Sequence, residues 1–259
     1  MVHLKTGLTS VTFRQKTPEE IVALAAQAQL DGIEWGGDIH VPAGDLPAAK
    51  AAGRLTRQAG LEVFSYGSYF RGDPGEDPAP VVESARALGA PLVRVWAGRA
   101  PWERCSPQER CRLAEAFRQA ADLAREAGLR LAFEYHRDTA TQTVQGALEL
   151  LKSVGRANVG CYWQPNPDIT QEERLEEIRA LGNEIAHVHV FAWTEGNVRH
   201  PLSQGEKPWK EYLAALKQTG TTPRLILEFV KDDSETAFFQ DAATLRRWAA
   251  GTKGEGDAT

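Results

Sequence analysis

The 259-residue sequence has little of what marks several large protein classes. It holds three cysteines, Cys105, Cys111 and Cys161; an odd number without CxxC spacing makes neither a disulfide framework nor a zinc knuckle, so reduced thiols are expected. No apolar run approaches the roughly 18 residues of a membrane span. The opening MVHLKTGLTS lacks the long apolar segment of a signal peptide, and a cytoplasmic protein is expected. There is no GxGxxG after the first strand-like segment and no P-loop, which argues against an open, doubly wound nucleotide-binding sheet. Basic residues are in deficit, 30 Lys and Arg against 35 Asp and Glu, for a net charge of −5. That balance offers no global attraction to nucleic acid or to an anionic membrane.

What is present is a core-forming chain, 42% hydrophobic and 25% charged, with the length of one α/β barrel, about 250 residues. Short runs rich in Val, Ile, Leu and aromatics predict strands near 4–13, 32–36, 61–66, 91–97, 129–136, 157–163, 185–191 and 224–230. Segments of helical period lie between them. TPEEIVALAAQAQL carries Thr17 as N-cap, Pro18 at N1 and Glu20 at N3, a capping box, with Ile21, Leu24, Ala25 and Ala28 on one face. A second helix is predicted from Ser106-Pro107 to Gly128, and others around 45–59, 78–89, 141–154, 170–181, 207–219 and 234–250. Eight alternating βα units imply an α/β fold, a single (β/α)8 TIM barrel over residues 1–250. The remainder, 251–259 (GTKGEGDAT), is polar and glycine-rich and is expected to form a flexible tail.

Barrel enzymes carry their chemistry where strands end and the following loops begin. In LRLAFEYH, alternation sets Arg130, Ala132, Glu134 and His136 on one face and Leu129, Leu131, Phe133 and Tyr135 on the other. The apolar set faces the helices, so Glu134 points inwards. RLILEFV repeats the arrangement with Ile226 and Glu228, IAHVHVF puts His187 and His189 on one face, and CYWQP sets Gln164 beside Tyr162. Two inward carboxylates would be expensive to bury unpaired. A divalent cation held by Glu134, Gln164, His189 and Glu228 offsets that penalty, and an oxygen-rich set favours manganese, magnesium or cobalt over zinc. Glu34 and Arg94 read as a structural ion pair in the lower barrel, and His187, deeper than His189, as a core histidine.

The series Glu134 in FEYH, Gln164 in YWQP, His189 in HVHVF and Glu228 in LEF resembles the metal quartet of the xylose isomerase-like TIM barrel superfamily. That superfamily includes sugar isomerases, ketose 3-epimerases, inosose dehydratases and apurinic endonucleases. GIEWGGDIH, LEVFSYGSYFR and LGAPLVRVWAG match the style of its early strands, so the resemblance spans nearly the whole chain. It implies a metal held by the four positions, with Glu134 and Glu228 also acting as catalytic acid and base. Most members carry an aspartate on strand six, closely followed by a histidine; here the segment is Gln164-Pro165-Asn166-Pro167-Asp168. The missing histidine removes part of an endonuclease zinc cluster and disfavours DNA repair. His136 stands where xylose isomerase itself has a lysine, which disfavours a two-metal hydride shift.

Loop residues suggest a substrate rim. His40, Trp96, His136, Trp163, Arg199 and His200 are the candidate substrate contacts; the resemblance places a basic residue in the loop of Arg199 and His200. Arg71, Arg99, Arg137 and Lys207 add positive charge that could meet an anionic group, and Trp35, Trp96, Trp163 and Trp193 could wall a sugar ring. The expected function is a metal-dependent sugar or sugar-phosphate isomerase or epimerase, passing a proton between glutamates through an enediolate. A dehydratase of a keto-polyol and a non-catalytic sugar-binding barrel are the alternatives.

Overall fold

Parallel hydrogen bonding joins every barrel strand to two neighbours in the computed structural model, which describes residues 4–251. β1 (Thr6–Thr9), β2 (Gly32–Gly36), β3 (Glu62–Gly67), β4 (Leu92–Val95), β5 (Arg130–Phe133), β6 (Val159–Trp163) and β7 (Ile185–Val190) follow one another around the wall. A small antiparallel hairpin, β8 (Trp193–Thr194) with β9 (Val198–Arg199), intervenes before the eighth barrel strand, β10 (Arg224–Leu227). β10 returns to β1, with Thr6 against Leu225 and Leu8 against Leu227, so the sheet closes as the expected (β/α)8 barrel.

The helices are α1 (Pro18–Gln27), α2 (Leu46–Gln58), α3 (Ala79–Leu88), α4 (Pro107–Glu126), α5 (Val144–Val154), α6 (Gln171–Leu181), α7 (Glu206–Gln218) and α8 (Glu235–Ala249). Reciprocal capping boxes start α1, α4 and α6 through Thr17 and Glu20, Ser106 and Glu109, and Thr170 and Glu173. Each supplies partners for amide groups that the first helical turn leaves free, at about 1 kcal/mol per cap. Among the described residues no helix is long and apolar enough to cross a membrane. The tail expected from residue 251 lies, from 252 onwards, outside the described residues.

Two apolar layers fix the wall. Outward side chains such as Leu8, Ile33, Phe133 and Leu227 join the helices in one core, while Phe64, Leu92, Ala132, Tyr162, Ala186 and Ile226 plug the lower barrel. The Phe64 ring fits because β1 and β2 present glycines to it: a Cβ on Gly7 or Gly32 would come within 2.6 or 2.4 Å of that ring. Polar side chains stand above this plug.

The strands stop earlier than the apolar runs that predict them. Residues 10–13 form a 3-10 turn, β5 ends at Phe133 and β10 at Leu227. The amides of Glu134 and Glu228 still donate to Val95 and Val190 across the wall (2.8 and 3.1 Å). Beyond that the chain turns away: Thr141 Oγ1 donates to the Glu134 carbonyl (2.5 Å), and Phe229 takes a positive φ of 46°. The strand ends are given over to presenting side chains rather than to extending the sheet.

Candidate metal centre

Glu134, His189 and Glu228 come together at the mouth of the barrel, and one ligand atom from each lies within 4.8 Å of the others. All three are buried. His189 Nδ1 is 3.5 Å from Glu228 Oε2 and 3.8 Å from Glu134 Oε1, and Gln164 Oε1 sits 3.0 Å from the same nitrogen. The four sequence-selected donors therefore share one small volume. The other ring nitrogen, His189 Nε2, faces Glu34 Oε1 at 3.2 Å.

Glu34 is the hub of a second layer beneath these groups. Its carboxylate accepts from Arg94 Nε (3.1 Å), Ser65 Oγ (2.8 Å) and Tyr162 Oη (2.7 Å). The expected Glu34–Arg94 pair is present, but Arg94 also donates through Nη1 to Glu134 Oε2. Oε1 of Glu134 is left facing His189 and the centre. Arg94 was legible in the sequence only as a partner of Glu34, since the reach of a guanidinium across a barrel is not written in local alternation. His187 lies deeper, buried against Phe64 and Tyr162, and is the core histidine expected.

Electrostatics follow from this geometry. Burial works against ionisation of Glu34, yet Arg94 and His189 outweigh it and hold the carboxyl well below the usual range. Burial alone would lower the His189 pKa, but Glu228 and Glu34 overcome it and lift the imidazole to about 9. Burial raises Glu228 above its ordinary value against the pull of His189. Three buried carboxylates, at positions 34, 134 and 228, face one buried guanidinium. Once His189 is neutral, as a metal ligand must be, the two negative charges left uncompensated equal the charge of one divalent cation; without the cation, the charged imidazole offsets one of them. With Nε2 committed to Glu34, a neutral His189 would present Nδ1 as a ligand, the carboxylate-to-histidine arrangement typical of metal sites. The donor set fits a divalent metal.

The remaining candidates divide. Trp96, which follows β4, packs against the Arg71 guanidinium (4.1 Å) and the His136 ring (4.2 Å). A cleft of about 120 Å³ beside Gln164 is lined by His136, Arg137, Asn166, Trp193 and Asn197. An adjoining cavity of about 300 Å³, reaching His200 and Thr194, shares Trp193 with it but none of the four donors. The indole nitrogens of Trp96 and Trp193 are buried without a partner among the described residues. His40 is buried with both nitrogens engaged, by Ser10 Oγ (2.9 Å) and the Lys16 carbonyl (3.1 Å).

Two expectations need correction. Trp163 and Trp35 are fully buried and do not wall the cleft. Trp163 packs on Tyr212 and Trp209, while Trp35 donates to Thr56 Oγ1 on α2. The alternation that turns Gln164 and Glu34 inwards must turn their neighbours out. The rim arginines are also less free than the sequence suggests. Arg99, Arg137 and Arg199 meet Asp73, Asp168 and Asp233, and Arg199 further lies over the Phe229 ring. Lys207 is exposed on the first turn of α7.

A closed parallel barrel with its ionisable groups gathered at the strand ends is the architecture of barrel enzymes. The chain belongs to the xylose isomerase-like TIM barrel family, whose model matches residues 22–248. No curated protein matches it in sequence. Among solved structures it is similar to a probable 3-DHS dehydratase, AsbF, from Bacillus anthracis, at 19% identity over 93% of this chain and 98% of the other, with a TM-score of 0.79. It is similar to a D-psicose 3-epimerase crystallised in the presence of D-fructose (17% identity, 96% and 100% coverage, TM-score 0.75). A xylose isomerase-like TIM barrel protein from Mycobacterium smegmatis in complex with magnesium aligns at 15% identity, 95% and 97% coverage and a TM-score of 0.72. At these identities the likeness is one of fold.

Proposed function

We propose that the protein is a divalent-metal-dependent isomerase or epimerase of a sugar or sugar phosphate, acting through an enediolate. The observation that carries this reading is the convergence of Glu134, His189 and Glu228 within 4.8 Å, buried above the Glu34–Arg94 pair, with more carboxylates than Arg94 alone can balance. Glu134, Gln164, His189 and Glu228 would hold the metal, which when bound supplies a Lewis acid for a carbonyl and its neighbouring hydroxyl. Manganese, magnesium or cobalt suits the oxygen-rich set better than zinc.

The chain's own residues then have separate tasks. Glu134 Oε1, freed because Arg94 engages Oε2, removes the proton from the carbon beside the carbonyl. Glu228, whose burial favours its protonated form, returns a proton. They reach the centre from β5 and β10, separated in the wall by β6 and β7, and so address a substrate from different sides. Trp193 lines both hollows and offers its ring face to a sugar, with His136 in one hollow and His200 in the other supplying polar contacts. A phosphate or carboxylate would have to displace Asp168 from Arg137 or Asp233 from Arg199. The partner is thus a small carbohydrate, and neither nucleic acid nor a membrane.

The test is incubation with manganese and a panel of ketoses in deuterium oxide. Label is expected at the carbon next to the carbonyl, and Glu134→Gln and Glu228→Gln should each slow its uptake by about 10²- to 10⁴-fold. A product lighter by one water would replace the reading with a lyase. No turnover together with no manganese binding would leave a non-catalytic barrel.

A further inference from the structure

The outward neighbours of two donors, Tyr135 beside Glu134 and Trp163 beside Gln164, end on the same carboxylate. Tyr135 Oη donates to Glu177 Oε1 at 2.5 Å, and Trp163 Nε1 donates to Glu177 Oε2 at 3.3 Å. Glu177 lies on the buried face of α6 with Leu175, Ile178 and Leu181, 6% exposed. For packing alone a leucine would serve there without desolvating a carboxyl. Burial indeed pushes the Glu177 carboxyl up to about 7. Arg174, one turn earlier, donates to the carbonyls of Asn166 (2.7 Å) and Ile169 (2.8 Å) and to Tyr212 Oη (3.2 Å). Tyr212 in turn packs on Trp163, ring centroids 5.2 Å apart. One face of α6 thus grips the end of β5, the end of β6 and the loop that follows β6.

The donor set of this chain gives that grip a purpose. A carboxylate on β6 would be drawn towards a cation by its own charge. The Gln164 amide is only a dipole, and its place must be set by the backbone that carries it. Neighbouring Cα atoms are 3.8 Å apart and their side chains point opposite ways, so a shift of Trp163 or Tyr135 is handed on to Gln164 or Glu134.

We propose that Glu177 is a positioning residue for the site: by accepting from Tyr135 and Trp163 it holds the strand ends at the angle that aims Glu134 and Gln164 at a common point. The purpose, though not the contacts, rests on the metal site proposed above. Glu177→Met keeps the bulk and removes both acceptors. Glu177→Gln preserves the connection, because its amide oxygen accepts from Trp163 and its NH2 donates to Tyr135 Oη. Tyr135→Phe removes one hydroxyl and nothing else.

Two measurements decide the matter: manganese affinity by calorimetry, and the side-chain amide resonances of Gln164 in metal-free protein. Glu177→Met is expected to weaken manganese binding about tenfold and to shift the Gln164 signals. Tyr135→Phe should do both in smaller measure, and Glu177→Gln should match the wild type. Wild-type affinity and unmoved Gln164 signals in Glu177→Met would overturn the proposal. If that variant does not fold, Tyr135→Phe decides by the same two readings. Should the wild-type chain bind no manganese, the metal site falls, and the resonances alone judge the grip: shifted in Tyr135→Phe and Glu177→Met but not in Glu177→Gln upholds it, and unchanged throughout overturns it.

Discussion

His189 on β7 turns its Nε2 to Glu34 on β2, 3.2 Å away, although the two strands are not neighbours in the wall. That contact fixes which nitrogen is left for the centre. Glu34→Gln keeps an oxygen near His189 but removes the charge that orients it. Manganese affinity is expected to fall about tenfold, and Glu34→Leu to lower it further, both read by calorimetry.

Arg94 is the buried cation shared by Glu34 and Glu134. Arg94→Met leaves two buried carboxylates facing each other and should lower the free energy of unfolding by about 3–5 kcal/mol in urea titrations of metal-free protein. Manganese at a hundredfold excess over its dissociation constant should restore about 2.7 kcal/mol by binding the folded state alone. A variant as stable as the wild type without metal would show that Arg94 does not balance the carboxylates it touches.

Gln164 is the uncharged oxygen donor of the set. Gln164→Asp places a third carboxylate beside Glu134 and Glu228, and manganese should bind at least about tenfold more tightly. The same change should lower the stability of the metal-free protein by about 1–3 kcal/mol, since a buried charge then lacks a partner. Calorimetry and thermal unfolding of the two forms, each with and without metal, read the opposite signs directly.

Glu177 makes stability depend on pH in a direction unusual for a carboxylate. Burial lifts it to about 7 from an ordinary 4.5. Between those values the folded chain keeps a proton that the unfolded chain releases. Its contribution is most favourable below about pH 4 and declines as pH rises to 7, by up to about 3 kcal/mol. Glu177→Gln does not titrate, so its stability relative to the wild type should improve from pH 5 to pH 8. A difference that stays flat across that range would show that the carboxyl titrates normally.

Alternation along single strands was enough to select Glu134, Gln164, His189 and Glu228, because each sits one step from an apolar neighbour that must face the helices. The same rule, applied to Trp35 and Trp163, would have sent both indoles outwards; reading them as a sugar wall gave weight to residue type over face. Glu177 was missed for a related reason. It falls on the stripe of Leu175, Ile178 and Leu181, and an acidic residue inside an apolar stripe is a signal available from α6 alone. The pairing of rim arginines with Asp73, Asp168 and Asp233 had no such signal. Those partners sit on different loops, and only the closed barrel brings them together.

Closure also sets the order in which the site comes into being. Glu228 follows the strand that pairs with the first one, and Phe229 donates to Thr12 from 217 residues away. Contacts so distant in sequence form late, because the chain between them must first surrender its freedom. An open sheet can carry all four donors on the consecutive strands β5, β6, β7 and β10, yet Glu34 on β2 reaches His189 only once the first and last strands meet. The partner that orients His189 is therefore gained only when the ring closes, and if the proposed site binds a cation, a metal titration during refolding would double as a clock for that closure.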